Sequence, residues 1–346
     1  MNEQDKKYLR IWFWSGAGLV FLILIIGGIT RLTGSGLSMT EWKPIMGAIP
    51  PLNEAQWQDA FEQYKQYPEY QQRNRGMSLG EFKTIFFWEY IHRMAGRLIG
   101  IVFIVPFAWF VAKKKLTPKW LKRSLWLLAL GSAQAVMGWY MVQSGLVDLP
   151  YVSPYRLTAH LLLAFAIFGF CLWYAMELTP LRKTDEPRHK ELKKWLWVLL
   201  VLTILQTAWG ALTAGLNAGH IYNTFPKMFQ YWIPNEIMML EPWYQNLTEN
   251  PTTVQWIHRV LGTILGVLAI AYWARLFTIT TSWTAKKWGL KLLIMVLIQY
   301  LLGVVTLITH VHVHVAVTHQ AGAMLLFGIL VGNLTIFHKH IIQNQN

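Results

Sequence analysis

The sequence predicts an all-α polytopic membrane protein, with eight transmembrane helices arranged as two tandem, pseudo-symmetric four-helix bundles. Three observations predict it. The 346 residues are 54% hydrophobic and 14% charged, whereas a soluble domain carries about a quarter charged residues. Apolar runs of roughly 20 residues, the length that crosses a hydrocarbon core, recur eight times. The second half of the chain also repeats motifs of the first half in the same order.

The eight runs lie at about 11–30, 84–112, 122–143, 155–177, 195–215, 253–279, 288–309 and 315–337. The net charge is +14. In a soluble chain that would suggest nucleic acid. Here the cations gather in alternate connections: around Lys6 to Arg10, Lys113 to Arg123, Arg182 to Lys194, Arg275 to Lys291, and at Lys339. The opposite short connections hold only Arg156 in 144–156 and no cation in 309–315. By the positive-inside rule both termini are expected to be cytoplasmic, with no nucleic-acid partner. The first apolar run is too long for a signal-peptide core and lacks a small-residue cleavage site, and no Arg- and Ser-rich transit peptide precedes it. A multi-pass protein of a bacterial cytoplasmic (inner) membrane is the expectation. The single cysteine, Cys171, lies in mid-span, which leaves no intrachain disulfide and no cysteine-ligated cluster.

Two long outer segments, 31–83 and 216–252, each follow an odd-numbered span and precede a span headed by His-Arg. GGITRLTGSG (27–36) pairs with WGALTAGLNAG (209–219), and EYIHRMAGRLIG (89–100) with QWIHRVLGTILG (255–266). AQAVMGWYMV (133–142) pairs with IQYLLGVVTL (298–307), and LTAHLLLAF (157–165) with AVTHQAGAM (316–324). The expected domains are 1–180 and 190–346. An even number of helices per unit makes them parallel repeats.

Each half then contributes two intramembrane histidines near the outer ends of different helices: His92 and His160, then His258 and His319. Ionisable groups at membrane depth are costly and usually functional. A single one of these could be a helix-end hydrogen bond; four at matched places point to ligands. Zinc wants further ligands, and no cysteine or carboxylate cluster accompanies them. Haem iron takes one axial ligand on each side of a flat ring. Small residues share the histidine faces: Gly96 and Gly100 after His92, Gly262 and Gly266 after His258, Ala164 after His160, Ala323 after His319. These admit a porphyrin, or equally the close helix packing of small-xxx-small motifs. Arg93 and Arg259 suit haem propionates, with snorkelling to lipid phosphate as the alternative. Two haem sites are expected, one per half, both toward the outer side.

Glu89 stands three residues before His92, on its face of the helix. The matching residue in the second half is Gln255. A carboxylate beside a haem manages protons or stabilises a developing cation, and an amide does neither in the same way. The first half is therefore expected to do chemistry and the second to transfer electrons. The alternative is an ordinary interfacial Glu89–Arg93 pair.

GGITRLTGSGLSMTEWKPIMGAIPP (27–51), FKTIFFWEYIHRMAGRLIG (82–100), QAVMGWYMVQSGL (134–146), LTAHL (157–161), VQWIHRVLG (254–262) and the THQ around His319 together resemble the heme A synthase family, in its Gram-negative and mitochondrial variant. The resemblance covers essentially the whole chain. It implies an oxidoreductase that converts a methyl group of heme O to the formyl group of heme A by successive hydroxylations. It implies a substrate haem on His92 and His160, a resident haem b on His258 and His319, and a functional acid at Glu89. The cysteine pair that some relatives carry in the first outer segment is missing here, so a thiol step proposed for them does not apply. Heme O and membrane lipid are the expected partners, with heme O synthase, an electron acceptor and a second copy of the chain as further candidates. The rival functions are a dihaem b-type electron-transfer cytochrome, disfavoured by the Glu89/Gln255 difference, and a haem carrier, disfavoured by four histidines at one face.

Other polar signals rank lower. His310, His312 and His314 alternate near an outer turn; they read first as solvated loop residues, with a metal such as copper as the alternative, and His220 in the second outer segment is open to the same two readings. Gln206 and Asn333, and the repeated Gln134 and Gln299, read first as hydrogen-bonding glue between helices.

Overall fold

The computed structural model describes residues 1–40, 49–146, 150–180 and 190–342; of 190, 284 and 337–342 it describes the backbone. Ten α-helices, three short 3-10 helices and no strand occur among these residues; the α-helices are α1 (Glu3–Leu32), α2 (Glu54–Lys65), α3 (Pro68–Gln72), α4 (Leu79–Ala112), α5 (Pro118–Gln143), α6 (Pro154–Glu177), α7 (Lys190–Gly215), α8 (Pro251–Ile279), α9 (Trp283–Ile308) and α10 (Val313–Ile342). Eight of them, all but α2 and α3, are long and apolar enough to cross a membrane. The chain is a multi-pass helical membrane protein.

Local chemistry sets the helix ends. Ser78 caps α4 in a reciprocal box: its hydroxyl accepts from the Glu81 N–H at 3.3 Å, and Glu81 accepts from the Ser78 N–H at 2.8 Å. Asn250 caps α8, accepting from the N–H groups of Thr252 and Thr253 at 2.9 and 3.3 Å, with Pro251 in the first helical position. Prolines also start α5 and α6. Gly34 (φ +64°) turns the chain out of α1, and Asn217 (φ +52°) does the same after α7.

The chain forms two compact units. Leu19–Ala164 is one; Met1–Gly18 with Phe165–Asn346 is the other. In the first, α2 packs on the start of α4 through a hydrophobic cluster of Phe61, Tyr64, Phe82, Ile85 and Phe86. In the second, α7 and α9 each pack against α8 and α10, which closes a four-helix arrangement. Its remaining pieces pack through small residues and rings. Phe13 meets Tyr174 with centroids 5.5 Å apart, Phe165 meets Phe327 at 5.4 Å, and Gly16 approaches Cys171.

Candidate haem-ligand sites

Within the unit Leu19–Ala164, α1, α4, α5 and α6 bring His92 and His160 together. Their imidazoles stand close enough to interact electrostatically. His92 lies against Gly27 of α1: a Cβ built there would sit 3.1 Å from the His92 Nε2. His160 lies against Gly138 of α5, where a Cβ would sit 3.2 Å from its Cε1. The Gln134 amide nitrogen is 3.3 Å from the His160 Nε2.

The other unit places His258 and His319 with ring centroids 6.4 Å apart and planes at 88°. His258 lies against Gly210 of α7 (2.9 Å to Cε1) and His319 against Gly303 of α9 (3.0 Å to Cε1). Gln206 reaches His258 at 3.5 Å, and Gln299 reaches the His319 Nδ1 at 3.1 Å and its backbone carbonyl at 2.8 Å. Each of the four histidines therefore has a glycine of a neighbouring helix at its ring. These glycines lie on helices other than those of the small residues that share the histidine faces. Gly262 makes room for Gln206 instead (3.1 Å), and Gly100 and Gly266 face nothing within 4 Å.

Glu89 is buried, 2% exposed. Its Oε2 accepts from the Ser38 hydroxyl and the Met39 N–H, both at 2.8 Å. Its Oε1 accepts from the Arg93 Nε at 2.9 Å and from the Arg93 Nη2, which also donates to the Met39 carbonyl at 2.7 Å. In the other unit Gln255, also 2% exposed, donates to the Tyr222 carbonyl at 3.0 Å. Arg259 donates to that same carbonyl at 2.7 Å and to the Thr224 carbonyl at 2.9 Å. Both His-Arg helices thus grip the backbone of the connection that precedes them. Glu89 does so as an acceptor of an N–H, Gln255 as a donor to a carbonyl. Ser38 and Met39 are site residues that sequence reasoning missed; their only signal is their place in the motif that runs from Gly27.

The donor set fits a haem-type group. Each site offers two imidazoles, and among the described residues no third His, Cys, Asp or Glu joins them to complete a cage for a bare ion. A separation of 6.4 Å between the His258 and His319 centroids admits one metal atom with bonds of about 2 Å on each side. Several buried polar atoms here also lack partners: the Oε1 of Gln134, Gln206 and Gln299, the Nδ1 of His160 and His258, and the Arg259 Nε. Such atoms are expensive to bury unpaired, and they cluster where a polar group would complete them. His312 and His314 pair with each other, centroids 5.4 Å apart, and are exposed.

Comparison with known proteins agrees. Residues 10–331 match the model of a family described as cytochrome oxidase assembly protein. A heme A synthase of Nitrosomonas eutropha is 45% identical over 94% of this chain and 92% of its own length. One of Nitrosospira multiformis is 46% identical over 93% and 91%, and one of Flavobacterium psychrophilum 40% identical over 97% and 100%. With four histidines seated alike, a buried glutamate ahead of His92, and relatives that match over nearly their whole length, the chain belongs to the heme A synthase family of cytochrome oxidase assembly proteins.

Proposed function

We propose that this protein is a heme A synthase of a bacterial inner membrane, with both termini cytoplasmic, and that it oxidises a methyl group of heme O to a formyl group. The substrate haem is taken by His92 and His160. A resident haem b is held by His258 and His319, and supplies a route by which electrons leave. The chain accordingly divides into an N-terminal substrate half, about 1–180, and a C-terminal electron-transfer half, about 190–346, as tandem repeats.

The observation that carries this reading is the Glu89/Gln255 difference. Both residues are buried three positions before a histidine, and both grip the preceding connection, yet only Glu89 carries charge. Every bond it makes is with a donor, and a carboxylate in a water-poor setting is where a positive charge developing on a nearby carbon is stabilised most. Replacing methyl hydrogens by oxygen releases protons to a nearby base and electrons to an acceptor outside the chain. Glu89 is the buried acceptor beside the substrate's expected place, and Arg93 and the Met39 N–H hold it there. Arg93 and Arg259, which fix the connections, would pair with haem propionates, and the unpartnered Arg259 Nε leaves one donor for that purpose.

The test is haem extraction and chromatography of protein produced beside a source of heme O. The wild type yields haem b, heme O and heme A. His92→Ala and His160→Ala lose the O and A forms and keep haem b, whereas His258→Ala and His319→Ala lose haem b. Equal loss of haem b in all four variants, with no heme A in the wild type, would replace this reading with a dihaem electron carrier.

A further inference from the structure

Among the described residues, four exposed histidines stand outside the haem sites: His220, His310, His312 and His314. They belong to the end of the second unit where α9 turns into α10. Gly219, the residue before His220, lies against that turn: a Cβ built on it would sit 2.8 Å from the Val311 Cγ2. Asn223 ties the same stretch to α9, donating to the Gly219 and Leu307 carbonyls at 2.7 and 2.9 Å. The turn is made by two left-handed residues, His310 (φ +52°) and Val311 (φ +60°), and closed by the Val311 N–H on the Thr306 carbonyl at 2.8 Å. A β-branched residue rarely takes that backbone, so the course of the chain into α10 is closely specified.

α10 begins at once, at Val313. The His312 carbonyl accepts the Ala316 N–H at 2.9 Å, and the His314 carbonyl accepts the Thr318 hydroxyl at 2.7 Å. Helix bonds therefore fix the backbone under both imidazoles, whose centroids stand 5.4 Å apart with planes at 43°. An ion bonded to a ring nitrogen at about 2 Å lies about 3 Å from that ring's centroid. Two rings 5.4 Å apart suit one ion between them in a bent arrangement. Among the described residues no third His, Cys, Asp or Glu joins them, which leaves the other coordination positions to water.

The pair belongs to one half only. α6 starts at Pro154 and α10 at Val313, and the motif around His160 matches that around His319. In that register His312 and His314 match Ser153 and Tyr155. Packing does not call for either imidazole, because both are exposed.

We propose that His312 and His314 bind one divalent ion of the copper class at the start of α10, a metal site separate from the four haem ligands. Imidazoles suit copper, nickel and zinc rather than calcium or magnesium, and affinity peaks at Cu²⁺. The positive end of α10 works against a cation held by charge alone, which favours an ion with strong coordinate bonds. His314 precedes His319 on α10 by about 7.5 Å along the axis, so the ion stands beyond His319 toward the helix start. The site stands apart from the assignment of the two haems.

The experiment titrates purified, haem-loaded, tag-free protein with Cu²⁺ against a chromophoric chelator and reads the bound Cu²⁺ by electron paramagnetic resonance. Wild type is expected to hold one more Cu²⁺ per chain than the His312→Ala/His314→Ala double variant, with the splitting of two imidazole nitrogens on that ion. Either single variant should weaken the site and leave the splitting of one nitrogen. His338 and His340 are present in every variant, so copper held by them cancels in the comparison. Haem content should be the same in all, because the two rings are exposed. Equal copper in wild type and double variant would overturn the proposal. So would loss of the ion from a His220→Ala/His310→Ala variant that keeps His312 and His314. Displacement of the ion by excess Ca²⁺ or Mg²⁺ would overturn the class of metal. A wild type that makes no heme A would defeat the proposed function and leave the copper count as it stands.

Discussion

Four glycines, Gly27, Gly138, Gly210 and Gly303, decide how closely neighbouring helices approach the histidine rings. A side chain at Gly210 would place its first carbon 2.9 Å from His258, and at Gly303 3.0 Å from His319. Neither neighbour is the free end of a flexible chain, so the imidazole or the helix must move. Gly210→Ala and Gly303→Ala are expected to cost about 1–3 kcal/mol by overpacking and to lower haem b per chain, measured by absorbance of the purified protein. Gly138→Ala, at 3.2 Å, should act more mildly and on the substrate haem alone. The histidines and Glu89 were legible in the sequence because ionisable side chains stand out in apolar helices. The glycines and Gln206 were not, because glycine and amide side chains are common in membrane helices for packing reasons. Only the fold shows which of them touch a ring.

At the scale of elements, the first long connection is anchored by more than its charges. Glu69 of α3 is buried, 4% exposed, and accepts from the Tyr64 hydroxyl at 3.0 Å, which in turn accepts from the Asn74 amide at 2.7 Å. Burial pushes the Glu69 carboxyl up from 4.5 to about 7, with the charge of Glu89 adding to it and the Tyr64 hydroxyl and Arg73 opposing it. The folded state therefore holds a proton that the unfolded state has lost, and stability falls as pH rises between those two values. Hydrogen exchange in 54–79 should show weakening protection across that window, after correction for the intrinsic pH dependence of exchange. Glu69→Gln should flatten the trend; an identical trend in both proteins would assign it to another group. In the second unit, Asn250→Ala removes the α8 cap and a partner of Asn246 (3.0 Å). It should cost about 0.5–2 kcal/mol, read as a lower melting temperature. Helix positions were readable from the apolar runs, prolines and caps. The start of α4 was not: the apolar run begins at about 84, but the capping box and the packing of Phe82 against α2 extend the helix back to Leu79. The hold of Ser38 and Met39 on Glu89 was invisible too, because polar and apolar loop residues carry no periodicity that reveals a contact across 50 positions.

At the scale of the whole molecule, eight membrane-length helices and alternating cationic connections predict that both termini face the cytoplasm. Single cysteines placed in a Cys171→Ser background at residue 4 and in the connection at 232 should label differently with an impermeant thiol reagent on intact cells. The expected result is labelling at 232 only; labelling at 4 would invert the topology. Matched sequence motifs carry the same histidines in both halves, and the proposed chemistry lies where the halves differ, at Glu89 against Gln255. The central claim, that one half oxidises a haem methyl beside Glu89 while the other keeps a resident haem, is tested most directly by the haem extracted from Glu89→Gln protein produced beside a heme O source. Heme A should fall by about 100-fold or more, as removal of a working acid–base or electrostatic group does, with haem b at the wild-type amount. Undiminished heme A in that variant would contradict the account.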